Sequence, residues 1–145
     1  MATRRVSGTA TIATTPEKIF ELLVDPAQHA LIDGSGSVRA ARPGGPHRLE
    51  LGSKFGMDMK MGAAYKIENT VVEFEENRLI AWRHFNGHRW RWELAPAGAG
   101  RTEVVETFDW STARLPLLIG LSGFPKRNKA GIDKTLARLG ELFPG

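Results

Sequence analysis

A long amphipathic stretch near the end of the sequence limits the fold more than any other feature. Between Phe124 and Phe143, apolar residues recur at the spacing of one helical face: Ile132, Leu136, Leu139 and Phe143. The opposite face is mostly charged, with Lys126, Arg127, Lys129, Lys134, Arg138 and Glu141. Pro125 suits a first helical turn, and Pro144-Gly145 ends the pattern. A helix about 28 Å long is predicted, and it needs a large apolar partner surface.

The middle of the chain supplies that partner, because its pattern changes to strands and turns. Lys54–Met61 alternates, with Phe55, Met57, Met59 and Met61 on one face. Asn86-Gly87 is a strong hairpin signal between two such runs. The predicted strands are Val6–Ala13, Val38–Arg42, Lys54–Met61, Ala64–Phe74 with a bulge near Gly62, Arg78–Phe85, His88–Leu94 and Arg101–Trp110.

Two short helices are predicted between the first two strands. Thr15 is the expected N-cap of the first, followed by Pro16 in its first turn. Asp25 ends this helix and is expected to cap the second, from Pro26 to Leu31. The order predicts an α+β fold, in which a curved antiparallel sheet of about seven strands wraps around the long C-terminal helix.

Size and composition indicate one domain over residues 1–145 and exclude several classes of protein. The 145 residues include no cysteine, so a disulfide framework is excluded. The start of the chain shows no signal peptide, and no apolar run is long enough for membrane insertion, so we expect a cytoplasmic protein. The net charge of +4 is a mild excess. Lys126–Lys129 is interpreted as a solvated helix face, with nucleic acid or anionic headgroups as the alternative.

The order of elements and several local motifs resemble a known family. The motifs are Thr15–Phe20 with Leu23–Pro26, Val72–Glu75 with Ile80–His84, and Thr102–Trp110 before the final helix. They are similar to the START/Bet v 1-like (SRPBCC) superfamily, within it the bacterial polyketide cyclase/dehydrase and lipid-transport group. The resemblance covers essentially the whole chain. It implies the helix-grip fold, with a hydrophobic cavity between sheet and long helix that holds lipids, sterols, hormones or polyketides; some members act on them as enzymes.

Because successive side chains of a strand point to opposite faces, the sequence predicts which side chains would line such a cavity. Methionine and tryptophan give a large, adaptable apolar surface, as ligand pockets require. The alternative is that these side chains simply fill a core between sheet and helix. The predicted lining set is Met57, Met59, Met61, Ile80, Trp82, His84, Trp90, Trp92 and Phe108 from the sheet, with Ile132, Leu136 and Leu139 as the helical wall.

Two inward-facing groups are weak candidates for proton chemistry. His84 shares the parity of Trp82, and Glu106 shares that of Val104 and Phe108. A buried Glu beside a His would form an acid/base pair. The alternatives are a hydrogen-bonded core histidine and a Glu106 paired with Arg83, Arg89 or Arg91. Asp109 is interpreted as a group that bonds nearby backbone.

Other chemical motifs are absent from the sequence. The histidines His29, His47, His84 and His88 show no metal-ligand spacing, although His84 and His88 could lie on facing strands. Gly34-Ser35-Gly36 is not a phosphate loop. We therefore expect neither a metal nor a cofactor.

Three hypotheses for function follow, in this order. The first is binding or transport of a small hydrophobic molecule: a lipid, a fatty acid or a polyketide-like compound. The second is a polyketide cyclase/aromatase or dehydratase that uses His84 or Glu106 as acid or base. The third is a protein- or membrane-surface interaction module using Leu115–Leu121 and the basic start of the last helix. No nucleic-acid partner is expected, and homodimerisation is left open.

Overall fold

The structure, a computed structural model, describes residues 4–34, 38–41, 45–61, 63–84, 87–113, 116–117 and 123–144. Strands and helices alternate much as the sequence pattern predicts. The elements are β1 (Arg5–Ile12), α1 (Pro16–Leu23), a 3-10 turn (Pro26–Gln28), α2 (His29–Ile32), β2 (Val38–Ala41), β3 (Lys54–Met61), β4 (Ala63–Glu75), β5 (Leu79–His84), β6 (Arg89–Pro96), β7 (Thr102–Asp109) and α3 (Phe124–Leu142).

One antiparallel sheet contains all seven of these strands in the order β1-β7-β6-β5-β4-β3-β2. Strands β2 to β7 form a meander, and β1 pairs with the last strand. The first two strands are therefore the two edges of the sheet. The helical segment between them crosses from one edge to the other, and the face on which the helices pack is called the inner face below. The predicted α+β helix-grip architecture is confirmed.

Helix α3 packs mainly on β1, with further contacts to β7 and α2. Its buried side chains include Ile132, Leu136 and Leu139, while Lys126 and Arg127 are exposed. The predicted amphipathic pattern is confirmed. Within the sheet, the closest backbone approach of the helix is to β1, at one edge.

Two glycines let α3 approach its neighbours closely. A Cβ on Gly8 would lie 2.7 Å from Ile132 Cγ2 and 2.9 Å from Asp133 Oδ1. A Cβ on Gly34 would lie 2.6 Å from the carbonyl oxygen of Lys134, and the Gly34 N–H donates to Thr135 Oγ1 at 2.9 Å. Side chains at either glycine would push the helix away, so these positions fix its distance from β1 and from the end of α2.

A β-bulge in β4 changes which residues face inward. Val71 pairs with Trp82 and Glu73 pairs with Ala81, so Val72 is the extra residue. Beyond it Phe74 points to the inner face, where its ring lies 5.5 Å from that of Phe20 in α1. The bulge predicted near Gly62 falls at a residue outside the described ranges. The irregularity described in β4 lies ten residues later, and its phase change lets Phe74 pack against α1.

The turn between β5 and β6 is tied to the segment that follows β7. Gly87 has a φ of 96°, which favours glycine, and its N–H donates to the His84 carbonyl at 2.9 Å. Thr112 Oγ1 donates to the Gly87 carbonyl at 2.6 Å. The predicted hairpin is confirmed, and the polypeptide after β7 holds it in place.

The helix starts agree only in part with the predicted caps. Asp25 Oδ1 accepts a hydrogen bond from the Ala27 N–H at 3.0 Å, as predicted. Thr15 occupies the N-cap position of α1, but its side chain makes no cap hydrogen bond. Of the apolar segment Leu115–Leu121, only residues 116–117 are described, so the hypothesis of an interaction surface there lies largely outside the described residues. No helix within them is long and apolar enough to cross a membrane.

The close approach at Gly8 makes a stability prediction. We expect Gly8→Ala to lower the free energy of unfolding by about 1–3 kcal/mol, because the added methyl group meets well-packed helix atoms. Gly140→Ala is the matched control. Its Cβ would meet its nearest neighbour, Ile12 Cδ1, at 3.7 Å, and alanine in a helix interior adds about 0.5–1 kcal/mol. Urea unfolding of both variants measures the difference; equal stabilities would contradict the packing described.

Candidate functional site

Strands β5, β6 and β7 place three aromatic side chains in one row on the inner face. Trp82 pairs with Trp90, and Trp90 pairs with Phe108. The rings of Trp90 and Phe108 lie 5.0 Å apart. The shared face predicted from strand alternation is therefore confirmed for this row, since residues opposite each other on antiparallel strands present their side chains together.

The next row toward the β5–β6 turn is polar. Asn69 of β4 pairs with His84, and the His84 N–H donates to the His88 carbonyl at 3.1 Å. The two imidazole rings are 4.4 Å apart, and the ring of His88 lies 5.4 Å from that of Phe108. The sequence suggests that His84 and His88 could lie on facing strands; in the structure His84 ends β5, His88 immediately precedes β6, and their rings lie against each other. No cluster of three metal-ligating residues occurs among the described residues.

A third histidine reaches the inner face from the helical crossing segment. His29 stacks on Trp82 with ring centroids 4.9 Å apart and planes inclined by 18°. Its Nε2 donates to the Leu23 carbonyl at 2.8 Å, and Phe55 packs edge-on against both rings. Burial lowers the pKa of His29, against the opposing effects of the Leu23 hydrogen bond and of Asp25 and Asp33. His29 is thus a neutral side chain that connects the end of α1 to the sheet.

Burial varies along the inner face. Ile80, Trp92 and Val104 are 0%, 3% and 0% exposed, so the rows under α1 and α3 are closed. By contrast Trp82, His84, His88 and Trp90 each keep some exposed surface although they face inward. These four residues are called the histidine–tryptophan patch. The helices therefore leave part of the inner face accessible.

The two histidines of the patch are neutral at physiological pH. Burial, together with the nearby His88, lowers the pKa of His84 to about 3. Burial also lowers the pKa of His88 to about 4. Their surroundings are crowded enough to disfavour charge even though the rings retain accessible surface. The patch therefore presents neutral imidazoles, in each of which one ring nitrogen donates a hydrogen bond and the other accepts one.

Several polar atoms on the inner face have no hydrogen-bond partner. They include Asn69 Oδ1, His88 Nδ1 and Glu106 Oε1, all buried. Such atoms lose free energy relative to water, about 1–3 kcal/mol each, unless something bonds to them. Most buried polar groups in proteins are satisfied, so three on one face are unusual.

Glu106 lies in the closed part of the inner face. It pairs with Gly8 on one side and Trp92 on the other. Burial, with a further contribution from Asp33, raises its pKa well above the ordinary value. The predicted alternative, an ion pair with arginine, is wrong: Arg91 Nη2 donates to Glu73 Oε2 at 2.6 Å and Arg89 Nη1 does so at 3.4 Å, both on the opposite face of the sheet. Burial therefore disfavours the charged form of Glu106.

The predicted acid/base pair of His84 and Glu106 is not formed. Glu106 is level with Ile80, because both pair with Trp92. His84 lies further along β5, about 13 Å from Ile80 at about 3.3 Å per residue. No effect of either group on the pKa of the other is among the causes of their shifts. The alternation of side chains along each strand predicted that both face inward, but alternation does not give the position of a residue along the strand.

Asp109 has the structural role that its sequence position indicates. Its Oδ1 accepts from the Ser111 N–H at 2.9 Å and from Ser111 Oγ at 2.6 Å. Arg5 Nε lies 3.0 Å from its Oδ2. Burial alone would raise its pKa, but the bonds from Ser111 and the charges of Arg5 and Arg91 outweigh burial and lower it. The interpretation as a group that bonds nearby backbone is confirmed.

The predicted lining residues fall into two groups. Buried in the core are Met57, Ile80, Trp92, Phe108, Ile132, Leu136 and Leu139. Partly exposed on the inner face are Met59, Trp82, His84 and Trp90. The side chain of Met61 lies outside the described part. A ligand-binding role for any of them stays a prediction.

Sequence reasoning missed His29 and Asn69. Asn69 had a usable signal, because it lies at the period of two between Ile67 and Val71 in a predicted strand. A polar residue at an inward position of such a strand is worth noting. The sequence contains no comparable signal for His29, because its stacking on Trp82 joins elements that are far apart in the sequence.

Comparisons with known proteins agree with the fold. The chain matches the family model described as polyketide cyclase/dehydrase and lipid transport over residues 3–143. The uncharacterised protein Rv0088 of Mycobacterium tuberculosis H37Rv is 39% identical over 145 residues, which cover 96% of this chain and 64% of that protein. Its counterpart MT0096 in strain CDC 1551 gives the same values. The chain thus spans slightly less than two thirds of these curated relatives.

Solved structures share the architecture at low sequence identity. The crystal structure of Ms6760 from Mycobacterium smegmatis has a TM-score of 0.69 at 17% identity, covering 97% of this chain and 93% of that one. An AHSA1-like protein from Aeromonas hydrophila has a TM-score of 0.66 at 20% identity, covering 95% and 93%. With the family match over nearly its whole length, the chain belongs to the polyketide cyclase/dehydrase and lipid-transport family and has its Bet v 1-like fold.

Proposed function

We propose that the chain binds a small, mainly apolar molecule against the histidine–tryptophan patch. The observation that carries this proposal is the partial exposure of Trp82, His84, His88 and Trp90 on a face that is otherwise closed. Contiguous exposed apolar surface often marks a binding site, and the two indole rings of this patch lie side by side. The family description, which includes lipid transport, supports the same function.

The chemistry of the patch suits binding. Two indole rings give flat apolar area, and the neighbouring imidazoles and Asn69 offer a few fixed polar groups. Ligand pockets combine these two properties. The patch has rigid supports: β5 and β6 are paired through Arg83 and Arg89, and Thr112 bonds to their connecting turn. Such a surface is largely formed before a ligand arrives.

Proton-transfer catalysis, as in a cyclase or dehydratase, has weaker support. A general acid or base works best with a pKa near the operating pH. The pKa of His84 is lowered to about 3, far below the operating pH, so its imidazole stays neutral and is a poor general acid or base. Burial raises the pKa of Glu106, but this carboxyl is 6% exposed and lies outside the histidine–tryptophan patch. Moreover the two groups do not lie together. Binding or transport is therefore the function that the geometry favours.

A neutral fluorescent probe tests the proposal. N-phenyl-1-naphthylamine brightens in apolar surroundings, and we expect saturable binding to the wild-type protein. Trp90→Ala should weaken the binding at least about ten-fold, which corresponds to about 1.4 kcal/mol, because it removes half-buried ring surface. Leu51→Ala is the control, since Leu51 is 65% exposed. Circular dichroism checks that both variants fold. Binding that is absent, or that Trp90→Ala leaves unchanged, would contradict the proposal.

The raised pKa of Glu106 makes a separate prediction on stability. The folded protein keeps a proton on Glu106 that the unfolded chain releases above the ordinary pKa, so this group makes the protein less stable as pH rises. Glu106→Gln lacks this titration. Its stability relative to wild type should therefore increase from pH 4.5 toward pH 8, by at most about 1.4 kcal/mol for each pH unit.

Urea unfolding at several pH values measures this difference. Glu103→Gln removes an exposed carboxyl from the same strand and controls for the loss of a carboxyl as such. A difference between Glu106→Gln and wild type that does not change with pH would show that Glu106 ionises normally in the folded protein.

A further inference from the structure

Polar atoms with no partner converge at one end of the histidine–tryptophan patch. Asn69 is 2% exposed, and its Oδ1 makes no hydrogen bond. His84 is paired directly with it, and His88, whose buried Nδ1 is also without a partner, lies 4.4 Å from His84 between ring centroids. Because residues opposite each other on antiparallel strands have Cβ atoms about 5 Å apart, these three side chains form one polar cluster.

The cluster has no positive charge beside it among the described side chains of β5 and β6. Arg83, Arg89 and Arg91 alternate with Trp82, His84 and Trp90, so they point to the opposite face of the sheet. There Arg89 and Arg91 donate to Glu73. A carboxylate or phosphate placed against the cluster would thus find no counter-ion on these two strands, and burying an unpaired charge is strongly unfavourable.

The three side chains of the cluster carry no charge of their own. Asn69 ends in a neutral amide, and the imidazoles of His84 and His88 are neutral because burial lowers both pKa values. A hydroxyl group can donate to the amide oxygen, and it can donate to or accept from the imidazole nitrogen, whichever tautomer is present. It does so without bringing a charge into the buried cluster.

We propose that Asn69, His84 and His88 form a subsite for an uncharged hydroxyl group, such as a phenol, enol or alcohol, at the polar end of the ligand. The inference depends on the proposed ligand-binding function and adds the ligand's charge class. The hydroxyl donates to Asn69 Oδ1, or bonds to His88 Nδ1 as donor or acceptor according to the tautomer, and satisfies an atom that is otherwise unpaired. A fatty acid, which ends in a carboxylate, is excluded as the preferred ligand.

Three matched probes test the subsite at pH 7: naphthalene, 2-naphthol, which is uncharged, and 2-naphthoate, which is an anion. Isothermal titration calorimetry with the wild-type chain measures each affinity. We expect 2-naphthol to bind at least ten-fold more tightly than 2-naphthoate, and more tightly than naphthalene. If 2-naphthoate binds as tightly as 2-naphthol, the proposal is overturned while ligand binding stands. If none of the three binds, the proposed function fails, and the subsite fails with it.

A variant assigns the preference to the cluster. His88→Phe keeps a ring of similar shape and removes both nitrogens, so 2-naphthol should lose its advantage over naphthalene while naphthalene binds as before. His47→Phe makes the same exchange at an exposed position and should change nothing. An unchanged ratio of the two affinities in His88→Phe would remove His88 from the subsite. Asn69→Leu repeats the test on the other acceptor, and the wild-type comparison decides the charge class even if a variant fails to fold.

Discussion

The arrangement of the inner face depends on how closely α3 lies against the main chain at two glycines. Gly8 in β1 and Gly34 after α2 present no side chain to the helix, and at both positions a Cβ would overlap with helix atoms. The bond from the Gly34 N–H to Thr135 Oγ1 fixes the second contact. Packing at this density tolerates little change in volume. The helix can therefore lie close to β1 only because neither position carries a Cβ atom.

The position of α3 divides the inner face in two. Near β1 and β7 the side chains of Ile132, Leu136 and Leu139 close over the sheet, and Glu106 is enclosed with them. Nearer the β5–β6 turn, the helices leave Trp82, His84 and Trp90 partly exposed. A sheet covered evenly by one helix would have been a packed core. A sheet covered unevenly has both a core and a surface on which to hold another molecule.

The sequence predicted the fold well because fold depends on patterns that repeat. The spacing of Ile132, Leu136 and Leu139 predicted α3, and strand alternation placed Trp82, Trp90 and Phe108 on one face. The site was predicted only in part, because alternation gives the face of a residue and not its level along the strand. His84 and Glu106 were paired for that reason, and the register separates them. The contact of His29 with Trp82 depends on tertiary packing, which no local pattern contains.

The bulge at Val72 has a consequence for how this chain can vary. Strand β4 is in effect two strands of opposite phase joined at one residue: before Val72, Asn69 and Val71 face inward, and after it, Phe74 does. Deleting Val72 would give a regular ladder in which Val71 still pairs with Trp82, Glu73 with Ala81 and Phe74 with Ile80, so both halves of the strand would keep their faces. Deleting a different residue of β4 while the bulge stays in place would instead turn one half of the strand over, and either Phe74 would leave α1 or Asn69 would leave the polar cluster. The bulge is thus the point in β4 at which the chain can lose a residue without exchanging the two faces of the sheet.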